Sequence, residues 1–277
     1  MKILAGIVTF NPELERLGDN IKAVQNQVDK VIIVDNGSKN INDVKTAFSD
    51  IEVLELHANK GIATALNHIG YYAIKHKYDW FLTLDQDTVV FPTLIENYKP
   101  YLSLPQVGTL TCLFQDINME PVNIPKTEYD KVDYAITSAA LMNTQVFEQS
   151  ERFDDVMFID YVDYDINLHY KKLGYFVYRI NKIGFYHEIG HQTPISFMGK
   201  KAYTFNHSPF RVYYMTRNAL YLRRKYGANS ITNGFVVTIR DNFIKILFFE
   251  SEKLKKLNAI RKGVLDGLKM KVKKHAK

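Results

Sequence analysis

Apolar positions along this chain alternate between two periods. Lys2 to Thr9 is a β-branched apolar run closed by Phe10-Asn11-Pro12, which predicts a first strand. Leu14, Leu17, Ile21 and Val24 then recur at helical spacing. Val31 to Val34 is a second run that stops at Asp35-Asn36-Gly37-Ser38, and Ile51 to Leu56 is a third, leading into His57-Ala58-Asn59-Lys60-Gly61. Ile62, Leu66, Ile69 and Ala73 return to helical spacing before a fourth run, Trp80 to Leu84, which ends in Asp85-Gln86-Asp87. Strands alternating with helices predict an α/β fold, with a mostly parallel central sheet flanked by helices and right-handed crossovers. Chemistry in such sheets gathers at the carboxyl ends of the strands.

The second half continues the alternation less regularly. Thr137-Ser138-Ala139-Ala140-Leu141 is a small-residue segment that also reads as an ordinary buried strand. Phe158-Ile159-Asp160-Tyr161-Val162-Asp163-Tyr164-Asp165 enters a helix carrying Ile166, Leu168 and Leu173 and ended by Gly174. A strand at Tyr175 to Ile180 precedes Ile183-Gly184-Phe185-Tyr186-His187. Ser208 and Pro209 open a further helix as cap and first-turn residue. From Asn233 two apolar stripes follow at helical spacing, Phe235 to Leu247 and Leu254 to Leu268, the second edged by Lys255, Lys256, Lys262, Lys269 and Lys273. The expected organisation is an α/β domain over 1–228 and a basic helical extension over 229–277.

Composition narrows the class. With 46% hydrophobic residues in 277, the chain can bury a sizeable core. The single cysteine, Cys112, rules out an internal disulfide and points to a reducing compartment. The amino terminus is too soon interrupted for a signal peptide, and no run approaches membrane-spanning length, so the expected location is the cytoplasm. The net charge of +6 is uneven, because Arg240 to Lys277 alone carries +8. That placement argues against nucleic acid as a partner of the main body. A basic amphipathic helix lies readily on an anionic membrane surface, here the inner face of the cell membrane, or docks on its own domain or on a second copy in a homo-oligomer.

Three places carry candidate chemistry. On an extended backbone Asp85 and Asp87 point to the same side and can share one hard cation; the alternative is a polar turn after a strand. Asp35, at a strand end, is placed to accept hydrogen bonds from a base or ribose, or to form the turn itself. Asn59 and Gly61 open a helix whose free amides favour an anion. No Walker loop and no Gly-x-Gly-x-x-Gly is present, so neither a P-loop nor a dinucleotide fold is indicated.

Taken together, Val8-Thr9-Phe10-Asn11-Pro12, Val34-Asp35-Asn36-Gly37-Ser38, Asn59-Lys60-Gly61 with Asn67, and Asp85-Gln86-Asp87 resemble the GT-A fold of nucleotide-sugar transferases, and specifically glycosyltransferase family 2. The resemblance implies that Thr9, Phe10, Asn11, Asp35, Asn36, Asn59, Gly61, Asn67, Asp85 and Gln86 contact the donor and that Ser138 helps to floor the sugar site. Ala139 stands where many members have glycine. Asp163 aligns with the family's general base, and Asp165 would face elsewhere on the helix. His187 stands where members with the rhamnosyl and galactofuranosyl pattern carry a metal-binding histidine, with His191 a weaker alternative. Asp85, Asp87 and His187 would then hold Mn²⁺ or Mg²⁺. Ser208-Pro209-Phe210-Arg211-Val212-Tyr213-Tyr214-Met215-Thr216-Arg217-Asn218 resembles a rhamnosyltransferase signature in which Arg217 neutralises the departing diphosphate.

By this resemblance the chain is an inverting transferase moving L-rhamnose from dTDP-rhamnose, or galactofuranose or another hexose from a UDP-sugar, to a saccharide or lipid-linked acceptor in cell-surface polysaccharide synthesis. A nucleotidylyltransferase would carry a glycine- and lysine-rich loop where Phe10-Asn11-Pro12 stands. A non-catalytic nucleotide-sugar sensor would not need Asp85, Asp87, Asp163 and His187 together.

Overall fold

The computed structural model describes residues 1–116, 121–187, 193–197 and 200–272, with backbone alone at 187, 197 and 200–202. Packing divides the chain into two compact units, Met1–Phe158 with Val162–Glu188, and Ile159–Tyr161 with Ile189–Lys277.

The first unit is built on an eight-stranded sheet. Its strands are β1 (Ile3–Thr9), β2 (Lys30–Asp35), β3 (Glu52–Glu55), β4 (Trp80–Asp85), β5 (Val107–Asp116), β6 (Tyr129–Val132), β7 (Ala140–Asn143) and β8 (Phe176–His187). They lie in the order β3-β2-β1-β4-β7-β5-β8-β6. The first four are mutually parallel, β7 runs antiparallel to both β4 and β5, and β6 antiparallel to β8. The tract Tyr175 to Ile180 and the segment ending at His187 form one continuous strand, β8, paired in parallel with β5.

Helices cover both faces of the sheet. α1 (Leu14–Gln25) buries Leu17, Ile21 and Val24 in one core with Ile3, Ala5 and Ile7. Gly6 faces the other way, and a Cβ there would stand 2.5 Å from Ile69 of α3 (Ile62–Lys75). Side-chain alternation on a strand thus puts α1 and α3 on opposite faces of β1. All seven residues of β1 are buried in consequence, and each such Leu, Ile or Val contributes about 1.5–3 kcal/mol by leaving water. The shorter helices are α2 (Ile41–Ala47), α4 (Leu94–Tyr98) and α5 (Thr144–Gln149), and α6 (Val162–Lys172) follows the acidic motif. Cys112 is buried as a free thiol on β5, and burial pushes it up to about 12.

The second unit holds a hairpin of β9 (Thr193–Phe197) and β10 (Lys200–Thr204), then α7 (Pro209–Tyr226), α8 (Ser230–Phe249) and α9 (Lys253–Lys269). Ser208 caps α7 by accepting from the Arg211 amide at 3.3 Å, and Asn229 with Thr232 forms a capping box on α8. α9 lies tight on α7, since a Cβ on Gly263 or Gly267 would come 2.7 or 2.6 Å from the carbonyls of Tyr213 or Arg217. Packing therefore groups α7 with α8 and α9, earlier than the expected division after residue 228. Among the described residues no helix is long and apolar enough to cross a membrane.

Candidate active site

The carboxyl ends of β1, β2, β3 and β4 share one edge of the sheet, and the first three motifs gather there. Asp35 is the hub on the β1/β2 side. Its Oδ1 accepts from the hydroxyls of Thr9 (3.1 Å) and Ser38, and its Oδ2 from the amides of Gly37 (3.0 Å) and Ser38 (2.9 Å). With four internal donors and 1% exposure, the carboxylate holds its own turn, the second of the two roles open to it. Asn11 closes over this turn, its amide donating to Ser38 Oγ and its Oδ1 accepting from the Lys39 amide, both at 2.8 Å. Phe10 is 44% exposed, and its amide donates to Gln86 Oε1 at 2.8 Å.

Asn36 bridges to the start of α3. Its Oδ1 accepts from the Lys60 amide (2.8 Å) and its Nδ2 donates to Asn59 Oδ1 (3.1 Å), which also accepts from the Gly61 amide (3.0 Å). The Ile62 amide donates to the Phe158 carbonyl at 2.7 Å. The amides of Lys60, Gly61 and Ile62 are thus spent internally, which corrects the expectation that they stand free for an anion. Asn67 is 2% exposed and staples Phe153 and Asp155 to α3 through three hydrogen bonds of 2.8–3.0 Å.

The β4 side is more open. Asp85 is half-buried and Asp87 exposed. The strand ends at Asp85, and the Thr88 amide closes a turn on the Asp85 carbonyl at 3.1 Å. Asp85 and Asp87 therefore do not alternate along one strand as the sequence suggested; the second acid sits in the turn. Ser138 Oγ donates to Asp85 Oδ2 and accepts from Thr88 Oγ1 at 3.1 Å, fixing the first acid from across the sheet. Asn20 of α1 donates to the Asp85 carbonyl at 2.7 Å. Sequence reasoning passed over Asn20, although a polar residue between Leu17 and Ile21 on a buried stripe was the available signal. Ala139 follows Ser138 with φ +56, the left-handed region that glycine adopts without strain.

Asp163 lies in the first turn of α6, half-buried, its Oδ1 accepting from the Tyr164 amide at 2.9 Å. Asp165 is 1% exposed and faces the interior, as the helical offset requires. Asn167 of α6 donates to the Ala135 carbonyl (2.9 Å), and Tyr164 stacks on Tyr134 (4.1 Å between centroids). The strand-connecting segment that carries Ser138 to Asp85 is thereby tied to the helix that carries Asp163.

In the two residues just ahead of α6, Asp160 and Tyr161, the backbone turns left-handed, both at φ +64. The buried Asn218 of α7 donates to the carbonyls of Ile159 (2.8 Å) and Asp160 (2.9 Å), and Arg211 pairs with Asp160 at 2.6 Å. Arg217 donates to Asn218 Oδ1 (2.9 and 2.8 Å) and covers the ring of Tyr214 at 4.5 Å.

Among the described residues no three His, Cys, Asp or Glu side chains converge as a metal group. The backbone of His187 closes β8 opposite Asp116, but its side chain and the whole of His191 lie outside the described residues. The described part of the expected ligand set, Asp85 and Asp87, consists of hard oxygen donors that suit a magnesium-like or manganese-like ion.

A sheet of this order, covered on both faces and carrying acids at the carboxyl edge, is the architecture of GT-A glycosyltransferases. The chain matches Glycosyl transferase family 2 over residues 5–215. It is 30% identical over 240 residues to a dTDP-rhamnosyl transferase, RfbF, of Shigella flexneri, covering 80% of each chain. The fold matches the crystal structure of S. aureus TarS 1-349 in complex with UDP-GlcNAc at TM-score 0.61 and 14% identity, over 96% of this chain and 81% of that one. It matches GalNAc-T7 with UDP, GalNAc and Mn²⁺ at TM-score 0.56 and 13% identity, over 87% and 54%. The chain belongs to glycosyltransferase family 2 and is a glycosyltransferase.

Proposed function

We propose that this glycosyltransferase moves L-rhamnose from dTDP-rhamnose, in a single inverting displacement, to a hydroxyl of a saccharide or lipid-linked saccharide used in cell-surface polysaccharide synthesis. The observation that carries the donor is the identity with a dTDP-rhamnosyl transferase over four-fifths of both chains. Asp163 takes the proton from the acceptor hydroxyl as it attacks the anomeric carbon. Its place in the first helical turn, with Oδ1 bound to the Tyr164 amide, supports that role by holding the carboxylate in one orientation. Thr9, Asp35, Asn36 and Asn59 form the ledge under the nucleoside, Asp35 acting as the brace that keeps the Thr9 and Ser38 hydroxyls in place. Gln86 ties Phe10 over the same edge.

Asp85, Asp87 and His187 are the residues that would hold Mn²⁺ or Mg²⁺, whose charge would offset that of the departing diphosphate. Ser138 keeps Asp85 oriented for this task, and Arg217 is the cation assigned to the diphosphate. UDP-bound neighbours of like fold favour a pyrimidine diphosphate in either case and make UDP-galactofuranose the second donor.

The test is release of nucleoside diphosphate without acceptor, with Mn²⁺, Mg²⁺ or chelator, from dTDP-rhamnose, UDP-galactofuranose and UDP-GlcNAc in parallel. Metal-dependent release from dTDP-rhamnose alone is the expected result. Release only from a UDP-sugar transfers the assignment to that donor. Absence of release and of any thermal shift with all three overturns the reading.

A further inference from the structure

The sequence offers the apolar stripe of the last helix either to a membrane or to the protein itself, and the fold buries the middle of that stripe while leaving Leu254 and Leu268 exposed. Ile260 and Ala259 are buried against Val212 of α7 and Ile246 of α8, with Leu257 and Val264 packed at the edge of this cluster. A further uncovered apolar face lies on α8. Val237, Leu247 and Phe248 are exposed, Phe248 by 56%, on the side away from the buried Phe235 and Ile246, and Phe243 is exposed on the flank. Val237, Arg240, Ile244 and Leu247 follow one another at steps of three and four, so these residues share one side of the helix. Leu254, 85% exposed, continues the apolar surface at the start of α9 and is bracketed by Lys253 and Lys255.

We infer that the outer face of α8, together with Leu254, is a seat for an anionic lipid bilayer. Charge decides the occupant. Residues 209–277 carry seventeen Lys and Arg against four Asp and Glu, a net +13, so residues 1–208 carry −7. A second copy docked face to face would set two such cationic regions against each other. A polyanion without an apolar phase would leave Phe243, Leu247 and Phe248 in water. An anionic bilayer takes the rings and the leucines into its acyl boundary while its headgroups meet Lys253 and compete for Arg240 and Lys255, which pair with Asp241 at 2.9 Å and Glu252 at 2.6 Å. The inference does not depend on which sugar is transferred.

Flotation of the full chain tests it, using vesicles of phosphatidylcholine mixed with phosphatidylglycerol, beside vesicles of phosphatidylcholine alone, at about 0.1 M salt. The intact protein should partition at least about tenfold more strongly onto the anionic vesicles. Phe243→Ser/Phe248→Ser should lose at least about tenfold of that partitioning. Leu254→Ser, at a side chain that packs on almost nothing, should lose part of it with an unchanged melting point. Failure of the intact protein to float, or flotation of all variants at the wild-type level, overturns the inference. So does light scattering that finds a dimer which Phe243→Ser/Phe248→Ser turns into monomers, because a second copy then covers the face.

Discussion

The two halves of the sheet's carboxyl edge use the same residue types for opposite ends. Around β1 and β2 the polar side chains satisfy one another, with Asp35 accepting four internal hydrogen bonds and Asn36 and Asn59 closing the start of α3. Around β4 and α6 the acids stand nearer to solvent, Asp87 exposed and Asp85 and Asp163 half-buried. A buried carboxylate is tolerated only when its lone pairs are filled, so full satisfaction there makes a rigid ledge. Acids that retain solvent access can change partners during a reaction. The comparison teaches that a motif residue of this chain either builds the edge of the sheet or keeps access to solvent there.

Substitution should separate the two halves. Asp163→Asn keeps the shape and removes the proposed base, so turnover should fall by about two to four orders of magnitude. Titration calorimetry with dTDP-rhamnose should find the affinity within about twofold of wild type, and melting should barely move. A mutant that retains most of its turnover would remove Asp163 from the role. Asp35→Ala should do the reverse to the fold. It leaves two amides and two hydroxyls without their acceptor, which costs about 2–3 kcal/mol of stability. At about 2–4 °C per kcal/mol, thermal denaturation should then come about 5–10 °C earlier. If Asp35→Ala melts like wild type, the ledge is not what this carboxylate supports.

This division also marks where sequence reading stops. The four parallel strands and the helices between them were legible because β1 and β4 are buried on both faces and α1 and α3 repeat their apolar residues at helical spacing. The amino-terminal cap of α7 and the end of α6 at Gly174 were legible from residue chemistry. β7 slots antiparallel between β4 and β5, a pairing that no local pattern announces, and α2 buries only Val44 and so leaves no stripe to read. The site was legible as a set of positions but not as a set of roles. Asn67 lies in a motif and turns out to be a staple, while Asp87 leaves the strand because the Thr88 amide bonds back to Asp85. Hydrogen bonds between residues remote in sequence decide such roles, and one chain read alone does not contain them.

Ser138 lies on the seam of the comparison, reaching a solvent-facing acid from a buried position. Ser138→Ala strands the buried Thr88 hydroxyl and takes one hydrogen bond away from Asp85. It should cost about 1–2 kcal/mol in denaturant unfolding and raise the donor KM more than it lowers kcat. A change confined to stability would place Ser138 with the ledge; a change confined to kinetics would place it with the reacting acids.

The smallest expected effect concerns the next two residues. Ala139 is fully buried at φ +56, and its replacement by glycine loses a methyl worth about 0.8 kcal/mol. The same change relieves left-handed strain of about 1–2 kcal/mol, and the extra freedom of glycine in the unfolded chain takes back about 0.5–1 kcal/mol. Ala139→Gly should therefore be nearly neutral. Ala140, 3% exposed in β7, has no strain to release, so Ala140→Gly should be destabilising by about 1–2 kcal/mol. The difference between the two variants isolates the strain, because burial and unfolded-state terms are nearly common to both. Equal losses at the two positions would mean that the turn carrying Ser138 to Asp85 stores none, and that its shape follows from the Tyr98 hydroxyl bound to the Ala139 carbonyl at 2.7 Å instead.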